Sequence, residues 1–266
     1  MNENLMDKIM GEVMKKMSQE VTEPEVKEVK TCESRPCGMT EYVGQSDLGK
    51  TIGLVIANVD RSLHGLMDID DKFRSIGIIG ARTGAGPHIF AADEAVKATN
   101  SEILKIELPR DTEGGAGHGC LIIFGAEDVS DAKRAVEVTL KELDRTFGDV
   151  YANEAGHLEL QYTARASYAL NKAFGAPIGK AFGISVGAPA AIGVVMADSA
   201  LKAANVEIVG YASPGNGGTS FSNEVIVFVS GDSGAVRQAI LEARDAGLPL
   251  LNTLGSEAKS VTTPYI

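Results

Sequence analysis

The chain has 266 residues, 44% of them hydrophobic, which is enough for two compact domains of about 100 residues each and a tail. A net charge of −11 argues against a nucleic-acid surface, whose phosphates call for clustered Lys and Arg, and no basic amphipathic stretch suits an anionic membrane. Three cysteines, Cys32, Cys37 and Cys120, make no disulfide framework and point to a reducing cytosol, and the first two lack the further ligands that a closed zinc site needs, so neither metal nor cofactor is expected.

Glu3, Asp7 and Lys8 interrupt the N-terminus, so no signal peptide is expected there, and no apolar run reaches membrane-spanning length. Residues 2–17 place Leu5, Ile9 and Val13, with four Met residues, at three- and four-residue spacing. That spacing predicts an amphipathic helix. The charged, Pro-containing stretch that follows has little to bury, so residues 1–40 read as a helix on a flexible linker. A short apolar helix on a tether needs a groove, on this chain or on a partner, and Met gives it an adaptable face.

The first compact unit, residues 41–148, reads as a strand TIGLVIANV, a short helix from Asp60, a strand RSIGIIGA and a helix from Pro87 to Asn100. A strand SEILKIEL, the loop PRDTEGGAGHG, a strand CLIIFGA and a helix from Asp128 to about Phe147 complete it. Residues 149–266 run in parallel: LELQYTA, a helix from Arg165, AFGISVGA, a helix from Pro189, VEIVGYAS, a Gly-rich loop, VIVFVSG and a helix from Asp232. The C-terminal NTLGSEAKSVTTPYI reads as an extended arm. The repetition is explicit: ADEAVKATNSEI from Ala92 and ADSALKAANVEI from Ala197 agree at eight of twelve positions. Two copies of one small domain in a chain usually pack with approximate symmetry, and each copy reads as an α+β unit of four strands and three helices.

Gly44 to Thr51 satisfies the phosphate-loop formula, and the rival reading of a nucleotide-binding regulator or enzyme rests on it. A true phosphate loop follows a strand and opens a helix; here the β-type run IGLVIANV follows at once. The four histidines are scattered and no catalytic pairing is visible, so no enzyme is expected. Asp93 with Lys97, and Asp198 with Lys202, are spaced as solvent-facing helix pairs. Their repetition also allows each lysine to lie across an edge between neighbouring units. The loops 110–119 and 215–223 are richer in Gly than a hairpin requires and would present amides and hydroxyls to a small polar solute if copies met around an axis.

ADSALKAANVEIVGY, VIVFVSGDSGAVRQAI, RSIGIIGARTGAGPHI, ELPRDTEGGAGHG, LDRTFGDVYANEAGH, QYTARASYALNKAFGAPIG and TSFSNE resemble the shell-protein domain of bacterial microcompartments. From about Thr40 to Ile266 the chain is similar to the tandem-domain, circularly permuted members of the propanediol- and ethanol-utilisation types. The resemblance implies a homotrimer whose six domains imitate a hexagonal tile, placed in a microcompartment shell with other shell proteins. It implies edge contacts at Lys97 and Lys202, and pores formed by the Gly-rich loops, here with Gly117, His118 and Gly119. It also implies small channels where the domains meet, with contributors by position including Thr83, Gly84, Asp149, Tyr151, Ser220, Ser222 and Asn223. The N-terminal helix resembles the segment that ties the shell to enclosed enzymes. The function expected is a tile that admits a small polar substrate such as 1,2-propanediol.

Overall fold

A computed structural model of the protein describes residues 40–110 and 118–266. The expected N-terminal helix with Leu5, Ile9 and Val13, its linker, and Gly117 lie outside the described residues. The first repeat contains β1 (Tyr42–Ser46), β2 (Thr51–Ile56), α1 (Arg61–Met67), β3 (Ser75–Ala81), α2 (Ala85–Ala98), β4 (Glu102–Glu107), β5 (Cys120–Ala126) and α3 (Val129–Thr146). The second contains β6 (Val150–Asn153), β7 (Gly156–Thr163), α4 (Tyr168–Phe174), β8 (Ala181–Ala188), α5 (Ala190–Ala203), β9 (Glu207–Ala212), β10 (Val225–Gly231), α6 (Ser233–Asn252) and β11 (Lys259–Ser260). Both sheets are antiparallel, in the orders β1-β2-β3-β5-β4 and β11-β6-β7-β8-β10-β9.

Five and six strands therefore stand where four were expected in each repeat. The additions, β1, β6 and β11, lie at or next to a sheet edge and are two to five residues long. Backbone pairing carries such strands, so they lack the apolar alternation that marks a strand in a sequence. The phosphate-loop formula falls on one of them: residues 42–56 form a hairpin from β1 through a single 3₁₀ turn into β2, with no helix opening at Lys50. Thr51 Oγ1 lies 2.7 Å from the buried His88 Nε2 instead of facing a phosphate site.

Each sheet carries two helices on one face. On α3, Ala132, Ala135, Val136, Thr139 and Leu143 are buried at helical spacing; on α6, Val236, Ala239, Ile240 and Ala243 do the same. Gly77 of β3 and Gly183 of β8 occupy matching positions beneath them. A Cβ at Gly77 would come 2.6 Å from the carbonyl oxygen of Ala132, and one at Gly183 would come 2.7 Å from Ile240. Both strands keep Gly because the helix leaves no room for a side chain.

The repeats dock through a shared core. All eight residues of β8 are buried, and Phe182, Ile184 and Val186 pack into one cluster with Ile89, Phe90 and Ile103 of the first repeat. Phe90 and Phe182 stack with centroids 6.2 Å apart, and Phe174 extends the stack. Asp93 departs from the solvent-facing role its spacing suggested. Its carboxylate is buried and accepts from the backbone N–H of Ser167 at 3.0 and 3.1 Å and of Leu170 at 3.2 Å, across the repeat boundary. Lys97 Nζ stands 2.9 Å from the same carboxylate, largely covered, whereas the matching Lys202–Asp198 pair at 2.6 Å is open to solvent. The helix spacing is the same in both copies; in the first, the second repeat covers it.

The C-terminal arm is extended, as expected, and pinned. Asp149 accepts from the N–H groups of Tyr265 at 2.8 Å and Ile266 at 3.0 Å, and Val261 N donates to Val150 O at 2.9 Å.

Because Asp93 satisfies two amides of the other repeat, Asp93→Ala should lower unfolding free energy in urea by about 2–4 kcal/mol. A loss below about 0.5 kcal/mol would reduce the contact to a surface pair.

Candidate functional site

Two of the cavities that the docked repeats leave at their junction lie next to each other. One, of about 380 Å³, is lined by Gly86 and His118 from the first repeat and by Phe174, Tyr211, Ser220 and Glu224 from the second. The other, of about 560 Å³, is lined by Asp47, Thr83 and Gly84 together with Asn153, His157 and Asn223. Glu159 borders both, so its side chain is a wall that the two cavities share.

That shared wall is ionisable. Glu224, almost fully buried, has one carboxylate oxygen 3.5 Å from His118 Nε2 and the other 3.7 Å from His157 Nε2. His118 Nε2 also lies 2.9 Å from the carbonyl oxygen of Thr219. Burial pushes the Glu159 carboxyl up to about 8, helped by the charge of Glu224. Burial lowers His157, while the hydrogen bond to Glu224 raises His118 toward its cationic form. Burial therefore disfavours the charged forms of Glu159 and His157, while the hydrogen bond to Glu224 favours the cationic form of His118. Among the described residues, His157 Nε2 and Ser222 Oγ are buried without a hydrogen-bond partner.

Local backbone explains how the wall is placed. Gly84 has φ 81° just before α2, and Gly86 in the first turn lies so close to Glu159 that a Cβ there would be 2.9 Å from Oε2. Ser220 and Phe221 adopt left-handed φ of 49° and 65°, uncommon for residues with a Cβ. The loop holding them is closed by Thr219 Oγ1 donating to Ser222 O at 3.0 Å, and Asn223 Oδ1 accepts from Ala190 N at 3.2 Å.

Of the residues singled out in the sequence, Thr83, Gly84, His118, Ser220 and Asn223 line these cavities. Asp149 and Tyr151 do not: the Asp149 carboxylate is taken up by the C-terminal amides, and Tyr151 donates to it at 3.3 Å. Gly119 is a point of close approach, where a Cβ would sit 2.5 Å from Ala81 O, and Ser222 is buried under its loop. Sequence reading missed Glu159, His157 and Glu224. On β7, His157, Glu159, Gln161 and Thr163 alternate with Leu158, Leu160 and Tyr162, so the polar row looked like a solvent face. It is buried because the first repeat lies against it.

The BMC domain profile matches residues 75–155 and again 181–258. The chain is 63% identical to the bacterial microcompartment shell protein PduB of Citrobacter freundii over 98% of both chains. It is 68% identical to that of Salmonella typhimurium over 87% of this chain and 85% of the relative. Among solved structures, a trimeric bacterial microcompartment shell protein PduB matches with a TM-score of 0.82 and 52% identity, over 86% of this chain and 100% of the other. EtuB from Clostridium kluyveri matches with a TM-score of 0.83 and 56% identity, over 86% and 99%.

The raised Glu159 carboxyl fixes the sign of a pH effect. Its contribution is fully present below the unfolded value of 4.5 and is lost as pH rises through about 8. Glu159→Gln should thus gain stability over the native chain between pH 5 and pH 9, by up to about 4 kcal/mol in urea titrations. A pH-independent difference would contradict the assigned protonation.

Proposed function

The chain belongs to the bacterial microcompartment shell proteins, and from that premise we propose that the junction between its two repeats is the route by which a small neutral polar solute crosses the shell. The protein itself is a trimeric structural component of that shell, not an enzyme. The hairpin at residues 42–56 leaves the nucleotide-binding alternative without support.

The observation that carries the proposal is that two cavities at the junction share Glu159 as a wall. A junction with unpartnered polar atoms, where burial disfavours charge on Glu159 and His157, favours a solute that carries its own hydroxyl groups. Such a solute replaces the waters it displaces hydrogen bond for hydrogen bond. A diol such as 1,2-propanediol fits this chemistry: its two hydroxyls can donate and accept at once. An aldehyde has only an acceptor and would leave acceptors of the wall unmatched, and an anion would meet the Glu224 carboxyl group and the acidic surface. The Gly-rich loops, with Gly117, His118 and Gly119 on one side and Ser220, Ser222 and Asn223 on the other, are proposed as a second opening around the trimer axis. Lys97 and Lys202 are proposed as tile-edge residues; the exposure of Lys202 supports that role more than the covered position of Lys97. Leu5, Ile9 and Val13, at helical spacing in a tethered segment, are proposed to dock enclosed enzymes.

Gly86→Leu places a branched side chain against Glu159 and should reduce the rate at which purified shells loaded with a diol-consuming enzyme take up limiting diol, by about fivefold or more. Shell assembly, checked by electron microscopy, should be unchanged. Removing residues 2–17 should leave uptake per enclosed enzyme unchanged while lowering the amount of enzyme retained. Unaltered uptake in intact Gly86→Leu shells would rule out the junction as the route.

A further inference from the structure

The wall between the two junction cavities is built from side chains that can carry protons. His157 lines the larger cavity, Glu224 and His118 line the smaller, and Glu159 borders both. Different loops bound the two: Leu108, Gly218 and Ser220 stand at the smaller, and the turns at 47–49 and 153–156 stand at the larger. At about 380 and 560 Å³, each with polar groups in its lining, both cavities have room for water and partners to hold it.

Across that wall the separation is short. Glu224 Oε2 stands 3.7 Å from His157 Nε2, and Glu224 Oε1 stands 3.5 Å from His118 Nε2. The Glu224 carboxyl group is buried, and His157 Nε2 is buried with no hydrogen-bond partner, so the imidazole is aimed at Glu224 with nothing else engaged. Charged groups reach this spot from several elements: His157 and Glu159 on β7, His118 ahead of β5, and Glu224 ahead of β10. Asp47 and Glu154 add carboxyl groups to the lining of the larger cavity, and Arg110 meets the loop of the smaller one at the carbonyl oxygen of Ser220, 3.4 Å away. Helix α2 brings Gly86 against Glu159 and no charge. Burial lowers His157, so it holds a proton weakly and passes it on. Burial also keeps the proton on Glu159 up to about pH 8, which leaves Glu224 as the acceptor.

We propose that His157 and Glu224 form a proton relay that joins the two cavities through the wall between them. His157 takes a proton from water in the larger cavity and becomes an imidazolium. A turn of the Glu224 carboxylate closes the 3.7 Å gap, and the Nε2–H gives its proton to Oε2, which leaves a neutral imidazole and a carboxylic acid. The acid releases the proton to water in the smaller cavity and is a carboxylate again, while the imidazole turns back to water in the larger cavity for the next proton. No electron moves and nothing is consumed, so the relay runs in either direction along the pH difference between its ends. The path consists of side chains and needs no opening, so it stands or falls apart from the solute route. A shell that holds back charged solutes also holds back buffer ions. With such a relay in its wall, the enclosed volume follows the outside pH while reactions within it make or take up protons.

The test uses purified shells that contain the full chain, checked by electron microscopy and enclosing a pH-reporting fluorescent protein in weak buffer. The outer pH is dropped through neutrality by stopped flow, and the response of the enclosed reporter is timed. Glu224→Gln and His157→Gln keep side chains of similar size and remove the proton carriers; each should slow the response about fivefold or more. Glu224→Asp, which still ionises, should stay closer to the native rate than Glu224→Gln does. His157→Ala should be slow and should recover when imidazole is added to the medium, with little gain for native shells. Native rates in both Gln variants overturn the relay, as does imidazole that speeds native and His157→Ala shells alike. Should Glu224→Gln shells fail to assemble, the His157 variants alone decide. Gly86→Leu reads solute flux and these variants read proton flux, so either reading can fail without the other.

Discussion

A buried carboxylate holds the two halves of the molecule in register. Asp93 leaves the first repeat, accepts from the N–H groups of Ser167 and Leu170 in the second, and keeps Lys97 alongside. A charge in that position is tolerable only while its donors stay in place, so it acts against sliding of one repeat over the other. The apolar stack of Phe90, Phe182 and Phe174 supplies the attraction, which is strong but unspecific in direction. The carboxylate supplies the direction. Fixed docking in turn determines where the cavities lie and which faces remain open.

The same docking explains the chemistry at Glu159. A strand face with His157, Glu159 and Gln161 would be an ordinary wet surface on an isolated repeat. Pressed against the first repeat, it loses water, and that burial, helped by the charge of Glu224, keeps the proton on the carboxyl up to about pH 8. The site is thus a product of assembly between repeats, made from residues that neither repeat would assign to a site by itself. A shell must separate solutes by polarity and size without transforming them. A seam lined with hydrogen-bonding groups, in which burial disfavours charge, suits the role proposed for it better than a catalytic cluster would.

Much of the fold was legible from the sequence for a plain reason. The duplicated ADxxxK helices, the Gly in RSIGIIGA and AFGISVGA, and the alternating strands each reflect packing inside one repeat, and local packing leaves a local pattern. Strand β8 was found to its full length, and both long helices begin where Asp128 and Asp232 suggested. The edge strands β1, β6 and β11 went unread because backbone pairing carries them. The candidate site was far less legible. Thr83, Gly84, His118, Ser220 and Asn223 were placed by their likeness to a family. Glu159, His157 and Glu224 were missed because their burial depends on residues of the other repeat, such as Gly86 beside Glu159 and His118 beside Glu224. Asp149 was drawn to the channel by its position, whereas its carboxylate serves the C-terminal arm. Asp93 and Asp198 carry the same helical signature, yet one is buried and the other open, so spacing alone could not tell them apart.

Docking of the two repeats decides where the cavities lie, and a crystal or electron-microscopy structure of the protein measures it most directly, through the surroundings of the Asp93 carboxylate. The expected result is a carboxylate buried between the repeats, with the N–H groups of Ser167 and Leu170 within hydrogen-bond distance. A structure in which Asp93 faces solvent and the polar row of β7 is wet would contradict it.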